Sequence, residues 1–134
     1  MGKKAEWFND ENFWNYFSSI MFDEKRWAEI PDVVDAVMKL ARFDTGVIEH
    51  RGKVLDLCCG LGRITTELAR RGFAATGVDI TPSFLETARE DAAYEGLDIE
   101  YVHSDARSFT RENFFDIAVN LYISFCYFDE ADDA

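Results

Sequence analysis

Two carboxylates and two glycines are the residues whose types and spacing could do chemistry. In the run VLDLCCGLGRITTELARRGFAATGVD, from Val54 to Asp79, Asp56 stands near the start, Gly60 and Gly62 follow closely, and Asp79 closes it. Glycine lets the backbone approach a ligand with no Cβ in the way, and a helix that starts there aims unpaired N–H groups at the same spot. A carboxylate ending the next strand can accept hydrogen bonds from both hydroxyls of a ribose. The chemistry implied is the holding of a ligand rather than attack on one. Cys58 and Cys59 read as packing residues, since nothing nearby in sequence would lower a thiol pKa. His50 and His103 read as a loop and a strand residue rather than acid and base.

The charge around the turn selects the ligand. A dinucleotide fingerprint places a third glycine three residues after the second, and that position is Thr65. Asp56 would repel a pyrophosphate, with only Arg63 close by to offset it. A ligand with an ammonium and a sulfonium would be attracted instead. S-adenosylmethionine carries both, with a ribose for Asp79 and a carboxylate for the helix start, so the acid-first turn favours it over NAD. No G-x-x-x-x-G-K-[ST] run is present, which excludes a nucleoside triphosphate P-loop.

The elements that must position these groups follow from the spacing. Val54–Leu57 reads as a buried strand, a helix runs from Arg63 to near Arg70 and stops at Gly72, and a second strand ends at Asp79. Thr81, Pro82 and Ser83 start a further helix, with Ser83 and Glu86 spaced as a capping box, which stops at Gly96. Ile99–His103 is the third strand and Phe115–Leu121 a buried fourth. Before the sheet, Asp10 can cap a helix carrying Phe13, Trp14, Phe17, Ile20 and Met21. A short segment, Asp23–Ile30, runs up to Pro31, which opens a helix with Val34, Val37, Met38 and Ala41 on one face, ended by Thr45 and Gly46. The aromatic helix is either packing surface or a lid over the ligand. Alternating strand and helix implies right-handed crossovers and an α/β, Rossmann-like parallel sheet in the order 3-2-1-4. Four strand tips then converge: 56–62, 79–80, 104–107 and 120–124.

The totals bound the rest. A length of 134 residues gives one core. A net charge of -12 argues against general affinity for nucleic acid or anionic membrane, because phosphate contacts need clustered Lys and Arg. Three cysteines, two of them adjacent and none at metal-ligand spacing, predict reduced thiols in the cytoplasm and no metal. Neither a signal peptide nor a membrane span is expected.

Taken together, VLDLCCGLGR, GVDIT, HSDAR and FFDIAVNLYISFCYF resemble the motifs of the class I S-adenosylmethionine-dependent methyltransferases, of the small-molecule type with an aromatic N-terminal region (FWNYFSSIMFDEKRW). Cys58 departs from the first glycine of many members. The resemblance implies a helical region or lid at residues 1–46 and a cofactor-binding domain at 47–134. It implies methyl transfer to a small-molecule acceptor, with S-adenosylhomocysteine as product. A non-catalytic module binding either compound, or an NAD-linked oxidoreductase, is the alternative.

It also implies roles. Backbone atoms at Cys58 and Gly60 would meet the methionine ammonium, Asp56 would orient that end, and Arg63 would pair with the cofactor carboxylate. Asp79 would take the ribose, Ile80 would pack on the adenine, and Asp105 and the Ala106 N–H would bond its edge. The Asn120 carbonyl would accept from the ammonium, and Leu121 would wall the methionine part. Read from the residues alone, Asp56 could instead stabilise a turn, Asp105 could cap the turn after it, and Arg63 could face solvent. Phe125–Phe128 could be core or a substrate cage. No catalytic residue is assigned, since displacement from a sulfonium needs alignment rather than an acid. The family's sheet has seven strands whereas this chain ends at Ala134. The reading is therefore a fold truncated after strand 4, or one completed by a homodimer through that exposed edge.

Overall fold

A computed structural model describes residues 6–21, 23–41 and 52–121. Thr45, Gly46, His50, the aromatic run after residue 121 and the acidic end lie outside the described residues. Four strands, β1 (Lys53–Leu57), β2 (Ala74–Asp79), β3 (Glu100–His103) and β4 (Ile117–Val119), form one parallel sheet in the order β3-β2-β1-β4. The helices are α1 (Glu11–Met21), α2 (Glu24–Ala28), α3 (Ile30–Leu40), α4 (Arg63–Arg70) and α5 (Pro82–Glu95), with a 3-10 turn at Trp7–Asn9 before them.

The register explains which face matters. Val54 and Asp56 of β1 stand level with Ala75 and Gly77 of β2, Gly77 with Tyr101 of β3, and Asp56 with Val119 of β4. Side chains alternate across a strand, so these residues share one face. Ile64 and Leu68 of α4 pack there with Val54, Ala75 and Val119, and Ile30, Val34 and Met38 of α3 join the same cluster. Burying Leu68 fully makes its truncation to alanine worth roughly 2–5 kcal/mol. A second cluster joins Leu85, Ala88 and Ala92 of α5 to Tyr101.

Local chemistry sets the helix ends. Asp10 caps α1, its Oδ1 accepting from the Asn12 and Phe13 amides, and Asp23 caps α2 through the Arg26 amide. Pro31 lies in the first turn of α3. Gly96 closes α5 at φ 68, with Leu97 N–H donating to the Ala92 carbonyl, the Schellman arrangement.

Three expectations are corrected. Ser83 is not a cap: Thr81 holds that place with no side-chain bond. Ser83 instead donates its N–H to Glu11 Oε1 at 2.9 Å and its hydroxyl to Asn15 Oδ1 at 2.9 Å. A carboxylate from α1 thus satisfies an orphan donor at the start of α5. The fourth strand is shorter than Phe115–Leu121 and only partly buried: pairing covers Ile117–Val119, Asp116 meets Lys53 through both its amide and its carboxylate, and Ala118 is exposed. Ala41 follows the end of α3 and is exposed rather than on the buried face. Among the described residues no helix is long and apolar enough to cross a membrane, and no His, Cys, Asp and Glu cluster could hold a metal.

Candidate functional site

The site assembles at the end of β1, where the chain must turn sharply into α4. Cys58 (φ 59), Gly60 (φ 57) and Gly62 (φ 78) all adopt left-handed backbone, which glycine enters freely and cysteine at a cost of roughly 1–2 kcal/mol. The turn is pinned by Cys59 N–H donating to the Val78 carbonyl (3.0 Å) and Gly62 N–H to the Cys59 carbonyl (3.0 Å). Gly60 N–H donates to Asp79 Oδ2 at 2.8 Å, and the Thr81 amide donates to Asp79 Oδ1 at 2.9 Å. The glycine turn and the tip of β2 are therefore one unit. Burial raises the Asp79 carboxyl above its usual range, and these amides oppose the rise.

Gly62 has a second reason to be glycine. A Cβ there would collide with Tyr101 Oη, and one at Gly77 would sit 2.8 Å from the Tyr101 ring. Tyr101 therefore lies across Gly77 and reaches the turn, so the space at Gly62 is filled by a ring rather than held open for a ligand. Tyr101 is buried, and its hydroxyl has no hydrogen-bond partner among the described residues. Burial pushes this phenol up to about 12.

Asp56 is 3% exposed and accepts from Thr65 Oγ1 at 2.6 Å. Burial in low dielectric disfavours its charge and lifts its pKa to about 7, against the Thr65 bond. By its spacing alone, Thr65 stands only as a missing third glycine. A strand-end acid followed by a hydroxyl in the first turn of the next helix was the available signal. Arg63 is 6% exposed, which removes the solvent-facing reading. Burial also raises the Cys59 thiol well above its ordinary value, in keeping with packing rather than nucleophilic use.

The tip of β3 is bonded to this unit. The Ser104 amide donates to the Asp79 carbonyl at 3.0 Å, and His103 Nε2 lies 3.1 Å from the Ile80 carbonyl. Asp105 holds its own turn: its Oδ1 accepts from the Arg107 amide, and Arg107 Nη2 donates to Oδ2 at 2.7 Å. The guanidinium keeps this carboxyl below the usual range. Arg107 also donates to both oxygens of Glu6 (3.1 and 3.0 Å) and lies over the Phe8 ring. No local pattern signals this bridge, which spans most of the chain. Ala106 sits half-buried in the same turn, and Asn120 is exposed after β4. Leu121 packs on the cluster around Val54.

A parallel sheet of this order, with a glycine turn at the strand beside the reversal, defines a Rossmann-like domain. Comparison with known proteins narrows it. Residues 54–134, more than half of the chain, match the family model described as Methyltransferase domain. The chain belongs to that family, within the class I S-adenosylmethionine-dependent methyltransferases, whose cofactor is S-adenosylmethionine. It is similar to a ubiquinone biosynthesis O-methyltransferase of Nitrosococcus oceani, 38% identical over 71 residues, 52% of this chain and 30% of the relative. It is also similar to the 23S rRNA (uracil(1939)-C(5))-methyltransferase RlmD of Klebsiella pneumoniae, 27% identical over 103 residues, 76% of this chain and 23% of the relative. The chain thus spans less than a third of either relative's length. Among solved structures, an S-adenosylmethionine-dependent methyltransferase from Clostridium acetobutylicum shares the fold, with TM-score 0.68 and 19% identity over 91% of this chain and 47% of that one.

Proposed function

We propose that this chain is the cofactor-binding part of an enzyme that transfers the methyl group of S-adenosylmethionine to a small-molecule acceptor. One observation carries the reading: Asp79 is joined directly to the Gly60 amide, beside a second buried acid and at the reversal point of a parallel sheet. Such a site suits a ribose and a positive charge together, so the residues present fit this cofactor. The cofactor supplies a methyl group on a sulfonium, and the protein's task is alignment and exclusion of water. Asp79 holds the ribose and Asp56 sets the negative field beneath the turn. Cys58, Gly60 and Arg63 meet the amino-acid end, with Asn120 and Leu121 on its far side, while Ile80, Asp105 and Ala106 receive the adenine. Asp105 does so by exchanging part of its bond to Arg107. Thr65, at the third-glycine position, is committed to Asp56, which disfavours a dinucleotide.

Within the helical region 1–46 that precedes the domain at 47–134, α1 and the turn before it serve as a lid, while α3 is part of the core. Support comes from Glu6 on Arg107 and from Glu11 and Asn15 on Ser83, all at the tips of β2 and β3. The net charge of -12 favours a small acceptor over RNA, and three cysteines without metal-ligand spacing favour a reducing, cytoplasmic setting. Among the described residues β4 is an outer strand of the sheet, and its edge is where a second copy would pair.

Calorimetric titration with S-adenosylhomocysteine and, separately, NAD tests the reading. Binding of the first and not the second is expected. Binding of NAD alone would overturn it.

A further inference from the structure

We propose that Thr65 is a positioning residue for the cofactor, its hydroxyl holding the buried Asp56 carboxylate fixed beneath the glycine turn as the counter-charge to the ligand's cationic end. The inference rests on the methyltransferase reading and adds to it a residue that does not touch the ligand.

Thr65 is fully buried and belongs to the first turn of α4, nine positions from Asp56 in sequence, yet its Oγ1 donates at 2.6 Å to Asp56 Oδ2. A threonine inside a helix ordinarily turns its hydroxyl back to the carbonyl four residues earlier. This one is turned to the sheet instead. The hydroxyl has one proton to give, so giving it to Asp56 fixes which carboxylate oxygen is occupied and stabilises the ionised form.

Asp56 needs such a donor because its level neighbours are Gly77 and Val119, which offer no side-chain hydrogen bond. The charged and titratable groups that bear on it are Asp79 from β2, Cys59 from the turn, Arg63 from α4 and Tyr101 from β3. Asp79 raises its pKa and Arg63 lowers it. The Thr65 bond is the largest influence that favours the charge, against burial. Without it the acid would stay protonated to higher pH and lose its attraction for an ammonium or sulfonium.

The test is calorimetric titration of the full chain with S-adenosylhomocysteine, whose ammonium is the probe, from about pH 5.5 to about pH 8.5. Thr65→Val should weaken binding about tenfold near neutrality, with the loss recovered at higher pH, so that the pH profile moves upward. Thr65→Ser should restore the native profile. An unmoved profile in a folded Thr65→Val chain would overturn this inference while leaving the functional reading intact. Absence of binding by the unaltered chain would overturn the functional reading and this inference with it. Should Thr65→Val fail to fold, Thr65→Ala replaces it, read through the infrared band of the protonated carboxyl against an Asp56→Asn background. An upward displacement of that titration supports the inference, and an unchanged midpoint overturns it.

Discussion

The Gly60 amide points at the Asp79 carboxylate, 2.8 Å from Oδ2, so the turn after β1 and the tip of β2 cannot move independently. Residues that a nucleoside would have to find together are already joined before it arrives, which lowers the ordering cost of binding.

Asp79→Ala removes that tether and the carboxylate. S-adenosylhomocysteine affinity should fall by about 1.5–3 kcal/mol, the worth of charged hydrogen bonds. Calorimetry measures it, and undiminished affinity would place the ribose elsewhere.

Cys58→Gly should stabilise the fold. The left-handed backbone at φ 59 costs a cysteine roughly 1–2 kcal/mol, while glycine gives back part of that through a freer unfolded chain. A net gain of about 0.5–1 kcal/mol is expected in denaturant unfolding. A net loss would mean that the packing of the thiol outweighs the backbone.

Gly62→Ala and Gly77→Ala should each destabilise by about 1–3 kcal/mol through overpacking, and they should differ in their response to Tyr101→Phe. The obstacle at Gly62 is the Tyr101 hydroxyl, whereas at Gly77 it is ring carbon and Cys59 Sγ. Removing the hydroxyl should partly rescue the first variant and leave the second unrescued, as a double-mutant cycle would show. Tyr101→Phe alone should be neutral or slightly stabilising, because it deletes a buried hydroxyl lacking a partner.

Asp56 should leave a signature in stability against pH. Its pKa is lifted from the ordinary carboxylate range to about 7 in the folded chain, so the folded state holds this proton more tightly. The contribution is fully present below about pH 4 and is lost as pH rises towards 7. Glu95, Glu100 and Asp105 act in the opposite sense, since ion pairing lowers them. The unaltered chain minus Asp56→Asn isolates the effect. That difference should fall between about pH 4 and 7 and flatten above, and a flat difference throughout would refute it.

The sheet order and the elements from β1 to α5 were legible because their signals are local. Val54 and Leu57 bound an apolar run, Gly72 and Gly96 stop helices, and strand–helix alternation leaves few topologies. What pairs across the fold was not legible. Ser83 has the spacing of a capping box, yet α1 lies close enough to take its amide and hydroxyl first. Thr65 looks like a missing glycine until β1 and α4 are packed and Asp56 lies under it. Tyr101 reads as an ordinary strand aromatic; only the register that sets it beside Gly77 shows where its ring goes. At the start of β4, the bond from the Lys53 amide to Asp116 is one that no hydrophobic pattern encodes.

The bond from the Ser83 amide to Glu11 also bears on where the chain can be trimmed. A protein beginning after α1 would lose more than aromatic surface, because the first turn of α5 would surrender its borrowed anion two positions past Thr81, which itself leans on Asp79. Shortening at the amino end should therefore register as fraying at a distant helix start, visible as faster deuterium uptake there.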